Sequence, residues 1–467
     1  MKDPIEMKGV WWLPDDADNE LPGTLSFSQD DGAMLEVVGV FGIERSDKIE
    51  QPEIILGLTQ QGKPVTLYKC SYKNWRFPLV GLGGGEYRVR FIFEGVHFKS
   101  ESEIRFNQLR GSYTDLDNWV GISGFFIDEN FIDNKYIANI RFEQPSAQFF
   151  DVDNEFEAGI SFAFKGPSRN TVNTEATISQ HAYLLVKNKT DDVSFDVLFS
   201  RLNTFSYLVQ IAAQRMIYPL KIFGYVKENI QQEVGQSAYS PEINIYYAPV
   251  EPMISQKSKL PQEMLFTFKD LDPDQIKKWF AVFDEYQTIV HLYRSLFYSN
   301  RLFIETRFLN IAQALESLHS LRFGSLEFPK SEFDAKKKKV LDSTPEELRD
   351  WVKRALNNAN YKSFASRISE LLKEKSEYFL GLIDDIDLFA KRVRDTRNEF
   401  VHHGKLRWTF HNGKELVDAI NWLTFLFEIY LLDSIGFSDE KVQELTKPKK
   451  QGFVTGWKHM RTNTEKK

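Results

Sequence analysis

From Lys8 to about Thr190 apolar and polar residues alternate, and glycines punctuate the alternation. Leu25 and Phe27, then Leu35 and Val37, flank Asp31-Gly32, a dipeptide that accepts the positive φ angles of a tight turn, so a hairpin is expected there. Val65 and Leu67, then Tyr87, Val89, Phe91 and Phe93, keep the same period of two. Short alternating runs separated by turns predict a β-rich domain of sandwich or jelly-roll type. Between Phe125 and Tyr247 the pattern is mixed. Strand-like runs at Ala158 to Phe164 and Ala182 to Val186 precede a helical run from Phe195 to Met216, which places Leu198, Leu202, Phe205, Leu208 and Ile211 on one face. Strand patterns return at Leu220 to Val226 and Ile243 to Tyr247. This stretch is either a second lobe, with a break near 125, or a separate α+β domain.

Pro249, Pro252 and Pro261 bracket a short polar stretch, and beyond it the period changes from 2 to 3.6. Helices are expected over Asp274 to Tyr298, Arg301 to Leu321, a segment ending near Asn357, Ser363 to Glu374, a segment closing at Gly404, and Asn412 to about Leu432. Thr344-Pro345-Glu346-Glu347 reads as a capping box with proline at the first helical position, and Asn412 with Glu415 as another cap. The chain thus reads as multidomain α+β. A β-rich region over 1–255 is followed by a connecting helix over 262–300, an all-α bundle over 301–440 and a basic tail over 441–467.

The 467 residues carry a formal net charge of −7, which excludes a generally basic nucleic-acid coat protein and confines any RNA contact to local patches. The best such patches are Lys336 to Lys339 and the tail from Lys447, for which a solvated loop and a disordered tail are the plainer readings. A single cysteine, Cys70, leaves no disulfide framework and no cysteine-rich zinc site, as suits a reducing cytosol. Met1 to Lys8 lacks the apolar core of a signal peptide, and Glu428 interrupts the most apolar stretch, Trp422 to Leu432. A cytoplasmic protein without a membrane anchor is expected.

Candidate chemistry concentrates in Arg394-Asp395-Thr396-Arg397-Asn398-Glu399-Phe400-Val401-His402-His403-Gly404. Ile386, Phe389, Ala390, Val393 and Phe400 form a core-facing stripe, and at about 100° per residue Arg397 falls inside it. A guanidinium cannot give up its proton, so in that position it needs solvent, a carboxylate or a subunit partner. Glu316, on the preceding helical run, is the expected carboxylate. His319 lies one turn from Glu316 and is a candidate to pair with it. Three other signals carry no chemistry. Gly81-Leu82-Gly83-Gly84-Gly85 precedes a strand, not the helix N-terminus that holds phosphate. Asp115 to Trp119 lacks the ligand and glycine of a calcium loop and reads as a surface turn beside a buried Trp119. Asp384, Asp385 and Asp387 point apart on a helix and read as a solvated acidic face, so no metal site is expected.

Arg397 and His402 resemble the R-x(4–6)-H signature of the HEPN superfamily, with Asn398 and Gly404 similar to its R-N-x-x-x-H-x-G form. His403 also satisfies the spacing, although the register before Gly404 favours His402. Spacing alone is weak, since a chain this long yields about one chance match, and Arg90 with His97 is such a decoy within a strand-like run. The whole chain resembles the ApeA-like anti-phage HEPN proteins. Gly9-Val10-Trp11-Trp12-Leu13-Pro14, Pro22-Gly23-Thr24-Leu25 and Val38-Gly39-Val40-Phe41-Gly42 are similar to that family's N-terminus, and Ala314-Leu315-Glu316-Ser317-Leu318 to its early bundle helix.

The resemblance implies a metal-independent, cofactor-free endoribonuclease of abortive infection. It would cut RNA, tRNA in the ApeA-like case, as a homodimer, with Arg397 and His402 catalytic, Asn398 in support, and His403 and Glu316 as possible auxiliaries. On an unbroken helix His402 points about 140° away from Arg397, so either the helix ends early or two copies pool their groups. The N-terminal half is expected to sense a phage-derived cue. Two other readings stand beside this one: a non-catalytic HEPN module that binds a partner or senses a nucleotide, and a carbohydrate- or peptide-binding β-domain with a helical oligomerisation tail.

Overall fold

The computed structural model describes residues 4–41, 52–76, 83–172, 174–227, 241–249, 256–298, 302–402, 409–410 and 413–464. The chain forms two compact units, Met1–Phe280 and Ala281–Lys467.

The first unit opens with β1 (Ile5–Leu13), β2 (Asp16–Ser28), β3 (Gly32–Val38), β4 (Ile54–Thr59), β5 (Pro64–Arg76) and β6 (Gly84–Glu94). These pair in the order β6-β3-β2-β1-β4-β5, and β5 pairs again with β6, so the six strands close into a barrel. The expected hairpin is present: Leu25 faces Leu35 and Phe27 faces Ala33 across β2 and β3. Gly32 turns the corner at φ 81°. The alternation points Trp11, Leu25, Leu35, Val37, Val65, Leu67 and Val89 inward as one buried cluster. Gly57 is required beside it, because a Cβ there would fall inside the Trp11 ring.

The unit continues with β7 (Arg105–Phe106), β8 (Gln108–Tyr113), α1 (Leu116–Val120), β9 (Phe125–Ile132), β10 (Lys135–Phe142), β11 (Gln148–Asp151), β12 (Phe156–Arg169), β13 (Ala176–Asn188), β14 (Val193–Ser194), α2 (Phe195–Ala213), β15 (Pro219–Tyr225) and β16 (Ile243–Tyr246). One sheet holds β11-β12-β13-β8-β15-β16 and joins the barrel at β6. β6 is the junction. Its first half pairs with β3, while Ile92, Phe93 and Glu94 pair with Tyr246, Ile245 and Asn244 of β16. The expected β-rich region takes the form of a closed ring continued by an open sheet, and β1 and β4, far apart in sequence, pair within the ring. The same sheet carries strands from both sides of residue 125. α2 buries Leu198, Leu202, Phe205, Leu208 and Ile211, the face its sequence displays. Asp115, expected on a surface turn, is instead buried at the start of α1 and ion-paired with Arg215.

The helices that follow are α3 (Pro273–Arg294), which spans the unit boundary, α4 (Ile304–Phe323), α5 (Lys330–Asp342), α6 (Glu346–Ala355), α7 (Phe364–Glu374), α8 (Ile386–His402), α9 (Gly413–Ile435) and α10 (Asp439–Thr464). The bundle core joins Phe308, Ile311 and Leu315 of α4, Ile368 and Leu371 of α7, Val393 of α8 and Leu423 and Leu426 of α9, all buried. Glu428, which interrupts the apolar run of α9, is buried too and accepts hydrogen bonds from Tyr293 at 2.9 Å and Lys449 at 2.6 Å. Among the described residues no helix is long and apolar enough to cross a membrane.

Three expectations need correction. Lys336 to Lys339 lie on α5, not in a loop, and the segment after Asp439 is the helix α10 through Thr464, not a disordered tail. Thr344 does not cap α6: its hydroxyl donates to the Val340 carbonyl at 2.7 Å, and Pro345 takes the cap position. Asn412, the other expected cap, lies outside the described residues.

Candidate active site

α8 begins where the Asp385 carboxylate accepts the Leu388 N–H at 2.9 Å, satisfying one of the orphan donors of a helix start. Phe389, Ala390 and Val393 bury the stripe seen in the sequence, and Phe389 packs on Trp422 of α9 with ring centroids 5.7 Å apart. Downstream, Phe400 meets Phe308 edge-on at 5.8 Å. The chain beyond α8 is tied back to it. The Thr396 hydroxyl accepts the Phe410 N–H at 3.0 Å, and the Arg392 guanidinium lies 4.4 Å from the Phe410 ring while bonding Glu415 at 2.8 Å.

Arg397 leaves the stripe toward α4 and α7. Its Nη2 lies 3.3 Å from Glu316 Oε2, and its guanidinium sits over the Phe364 ring at 4.9 Å. Its side chain is 31% exposed and that of Glu316 21%, so the pair is sheltered yet reachable. Both border an open cleft of about 700 Å³, also lined by Gln313, Ser317 and Ser320 of α4, Arg367 of α7 and 284–289 of α3. The α3 backbone leaves helical geometry at Tyr286, with φ −107° and ψ 18°, on that wall. Arg367 is a second guanidinium in the cleft and was not singled out in the sequence. It is nearly buried, donates from Nε to the Lys362 carbonyl at 3.1 Å, and bonds the Ser320 hydroxyl. The signal was available, since Arg367 lies three residues after Phe364 and four before Leu371 and so interrupts an apolar stripe as Arg397 does.

Glu316 thus holds Arg397, and His319 does not pair with it. His319 turns to α7, where its Nε2 lies 2.8 Å from Glu370 Oε2, and Lys362 holds the same oxygen at 2.7 Å. Burial pushes His319 below its ordinary pKa, outweighing the carboxylate. For Glu370, burial pushes up, but the hydrogen bonds from Lys362 and His319 prevail and hold it below the usual range. In this pair the imidazole Nε2–H donates to the Glu370 carboxylate.

α8 runs unbroken through His402, which is exposed. Arg397 and His402 leave the helix about 140° apart, so a single chain does not bring them together on this helix. Asn398 is half-buried beside Arg397. His403 and Gly404 lie outside the described residues. Asp384, Asp385 and Asp387 are exposed, with Asp387 bonded to Ser369 at 2.6 Å and Lys373 at 2.8 Å. No cluster of acidic, histidine or cysteine residues suited to a metal occurs among the described residues.

Residues 6–279 match the family model for the ApeA N-terminal domain 1, and residues 309–441 match that for the Apea-like HEPN domain. Comparison with curated proteins and with solved structures gave no match. The first match alone spans more than half of the chain, and the second contains Glu316, Arg367, Arg397 and His402. The chain belongs to the ApeA-like family of HEPN-type defence proteins.

Proposed function

We infer that this protein is a metal-independent endoribonuclease of bacterial abortive infection, cutting RNA, and tRNA in particular, at a site formed by two copies of the chain. The observation that carries the reading is Arg397, a guanidinium drawn out of an apolar stripe into a cleft within the segment similar to Apea-like HEPN domains, with an exposed histidine five positions on.

RNA supplies its own nucleophile. The 2′-hydroxyl attacks the adjacent phosphorus, the O2′–P bond forms, the P–O5′ bond breaks, and a 2′,3′-cyclic phosphate and a 5′-hydroxyl result. One proton leaves the 2′-oxygen and one reaches the departing 5′-oxygen. His402 performs these transfers, because an imidazole nitrogen can both accept and donate a proton. Arg397 offers its planar fork to the non-bridging oxygens as charge builds on the phosphorane. Glu316 orients that fork by holding one edge of it, and Asn398 supports it as a polar neighbour. Because the two groups diverge on one helix, Arg397 of one copy works with His402 of its partner. The N-terminal unit responds to a phage-derived cue and restrains the bundle until then.

The test is cleavage of labelled tRNA by the purified protein in EDTA, with and without material from infected cells. Cleavage that survives chelation and disappears in Arg397→Ala supports the nuclease. Failure to cut under every condition leaves a partner-binding or nucleotide-sensing HEPN module instead.

A further inference from the structure

β9 and β10 form a two-stranded hairpin that pairs with no other strand among the described residues. Its register sets Ile127 opposite Ile140, Glu129 opposite Ala138 and Phe131 opposite Tyr136, and period two places all six side chains on one face. Ile127 is 61% exposed, Ile140 65%, Phe131 72% and Tyr136 61%. At the root, the tilted rings of Phe125 and Phe142 pack 4.8 Å apart, and Phe142 packs on Phe164 of β12 at 5.4 Å, so the hairpin is anchored at this end. The opposite face is mainly polar, with Asp128, Asn130, Lys135, Asn139 and Arg141 beside the exposed Phe126, Ile132 and Ile137, and the Arg141 guanidinium lies 4.6 Å from the Phe126 ring.

Alternation this regular is what a buried strand face requires, and an isolated two-stranded hairpin is marginal in water. The face therefore needs a cover. A two-stranded ribbon encloses no small ligand. Asp128, Glu129 and Asp133 outnumber Lys135 and Arg141 on the hairpin, which disfavours RNA and anionic lipid. A protein face remains. The four exposed side chains offer on the order of 500 Å² per copy, so two hairpins facing each other bury ~1,000 Å², where specific interfaces begin. An apolar patch with a single charge, Glu129, suits an isologous two-fold contact, in which the same surface serves both partners.

We propose that the β9–β10 hairpin is a homodimerisation arm that packs its Ile127, Phe131, Tyr136 and Ile140 face against the same face of a second copy. The contact belongs to the N-terminal unit and does not depend on the nuclease reading.

Full-length Ala138→Cys tests it by disulfide formation under a mild oxidant, since Ala138 lies within the contact face and the one native cysteine, Cys70, is buried. The expected result is a covalent dimer at low micromolar protein, reduced at least tenfold when Phe131→Ser and Ile140→Ser are added, with the circular dichroism melt unchanged. No cross-linked dimer from Ala138→Cys, or an equal yield with the serine substitutions, overturns the proposal. Both readouts report on the hairpin even if the bundle also self-associates, and neither requires RNA cleavage.

Discussion

The chain contains two arginine–histidine pairs at similar spacing, one in each unit, and their surroundings differ. Arg90 projects from β6, donates to the Ala248 carbonyl at 3.3 Å and lies over the Phe91 ring at 5.7 Å. His97, beyond the strand end, meets Trp12 edge-on at 5.4 Å and sets Nε2 2.8 Å from the Gly57 carbonyl. Each is engaged in holding the barrel together. Arg397 instead stands in the cleft of the second unit with a carboxylate for company, and His402 is exposed at the end of the same helix. The comparison shows that spacing acquires meaning only from the element beneath it: a strand pair is spent on packing, whereas a helix drives one group into a cleft and leaves the other to solvent.

The sharpest way to break this contrast is to exchange the roles. Arg397→Ala is expected to lower single-turnover RNA cleavage by ~10³- to 10⁵-fold, the scale of arginines that stabilise phosphoryl transition states, while Arg90→Ala leaves the rate unchanged. Equal effects of the two would end the distinction. His402→Ala is expected to cost ~10²- to 10⁴-fold, the usual range for a general acid–base. Mixing Arg397→Ala with His402→Ala protein should then recover about a quarter of wild-type activity, because half of the dimers are mixed and each has one intact site of two. No recovery would mean that each copy uses only its own groups.

Stability should distinguish the bundle as well. Because His319 is held below its ordinary pKa, the folded protein binds fewer protons there than the unfolded chain, and stability is lost as pH falls from His319's ordinary value toward its lowered one. Glu370, also lowered, continues the loss through the carboxylate range. Melting of the second unit is expected to drop by ~2–4 °C between pH 7.5 and 5.5 for each kcal/mol so lost, and His319→Gln should flatten the upper part of that slope. The smallest effect is Glu316→Ala, about 1 kcal/mol in denaturant unfolding, since a half-sheltered pair is worth little more.

Much of this arrangement could be read from the chain. The alternation at Leu25, Phe27, Leu35 and Val37 disclosed the barrel strands, and Phe389, Ala390 and Val393 disclosed α8, because burial on one face imposes a period. Glu316 was legible as the partner of Arg397, because a sheltered guanidinium needs a carboxylate. Ring closure was not legible, since β1 pairs with β4 across a long sequence separation that no local pattern encodes. α5 and α6 bury no residue, so α5 offered no stripe to detect, and Pro448 with its lysine neighbours disguised α10. Arg367 escaped because it precedes no histidine, although it breaks its helix's pattern as Arg397 does.

β6 is shared between the ring and the open sheet, and this joint membership bears on cooperativity. Strand exchange at Ile92, Phe93 and Glu94 requires both neighbouring ladders to come apart together, so these amides should exchange with deuterium only through wholesale unravelling of the first unit, at the slowest rates in it. A recombinant fragment that stops before β16 would strip one flank of β6 and leave its upper edge open to unwanted strand pairing.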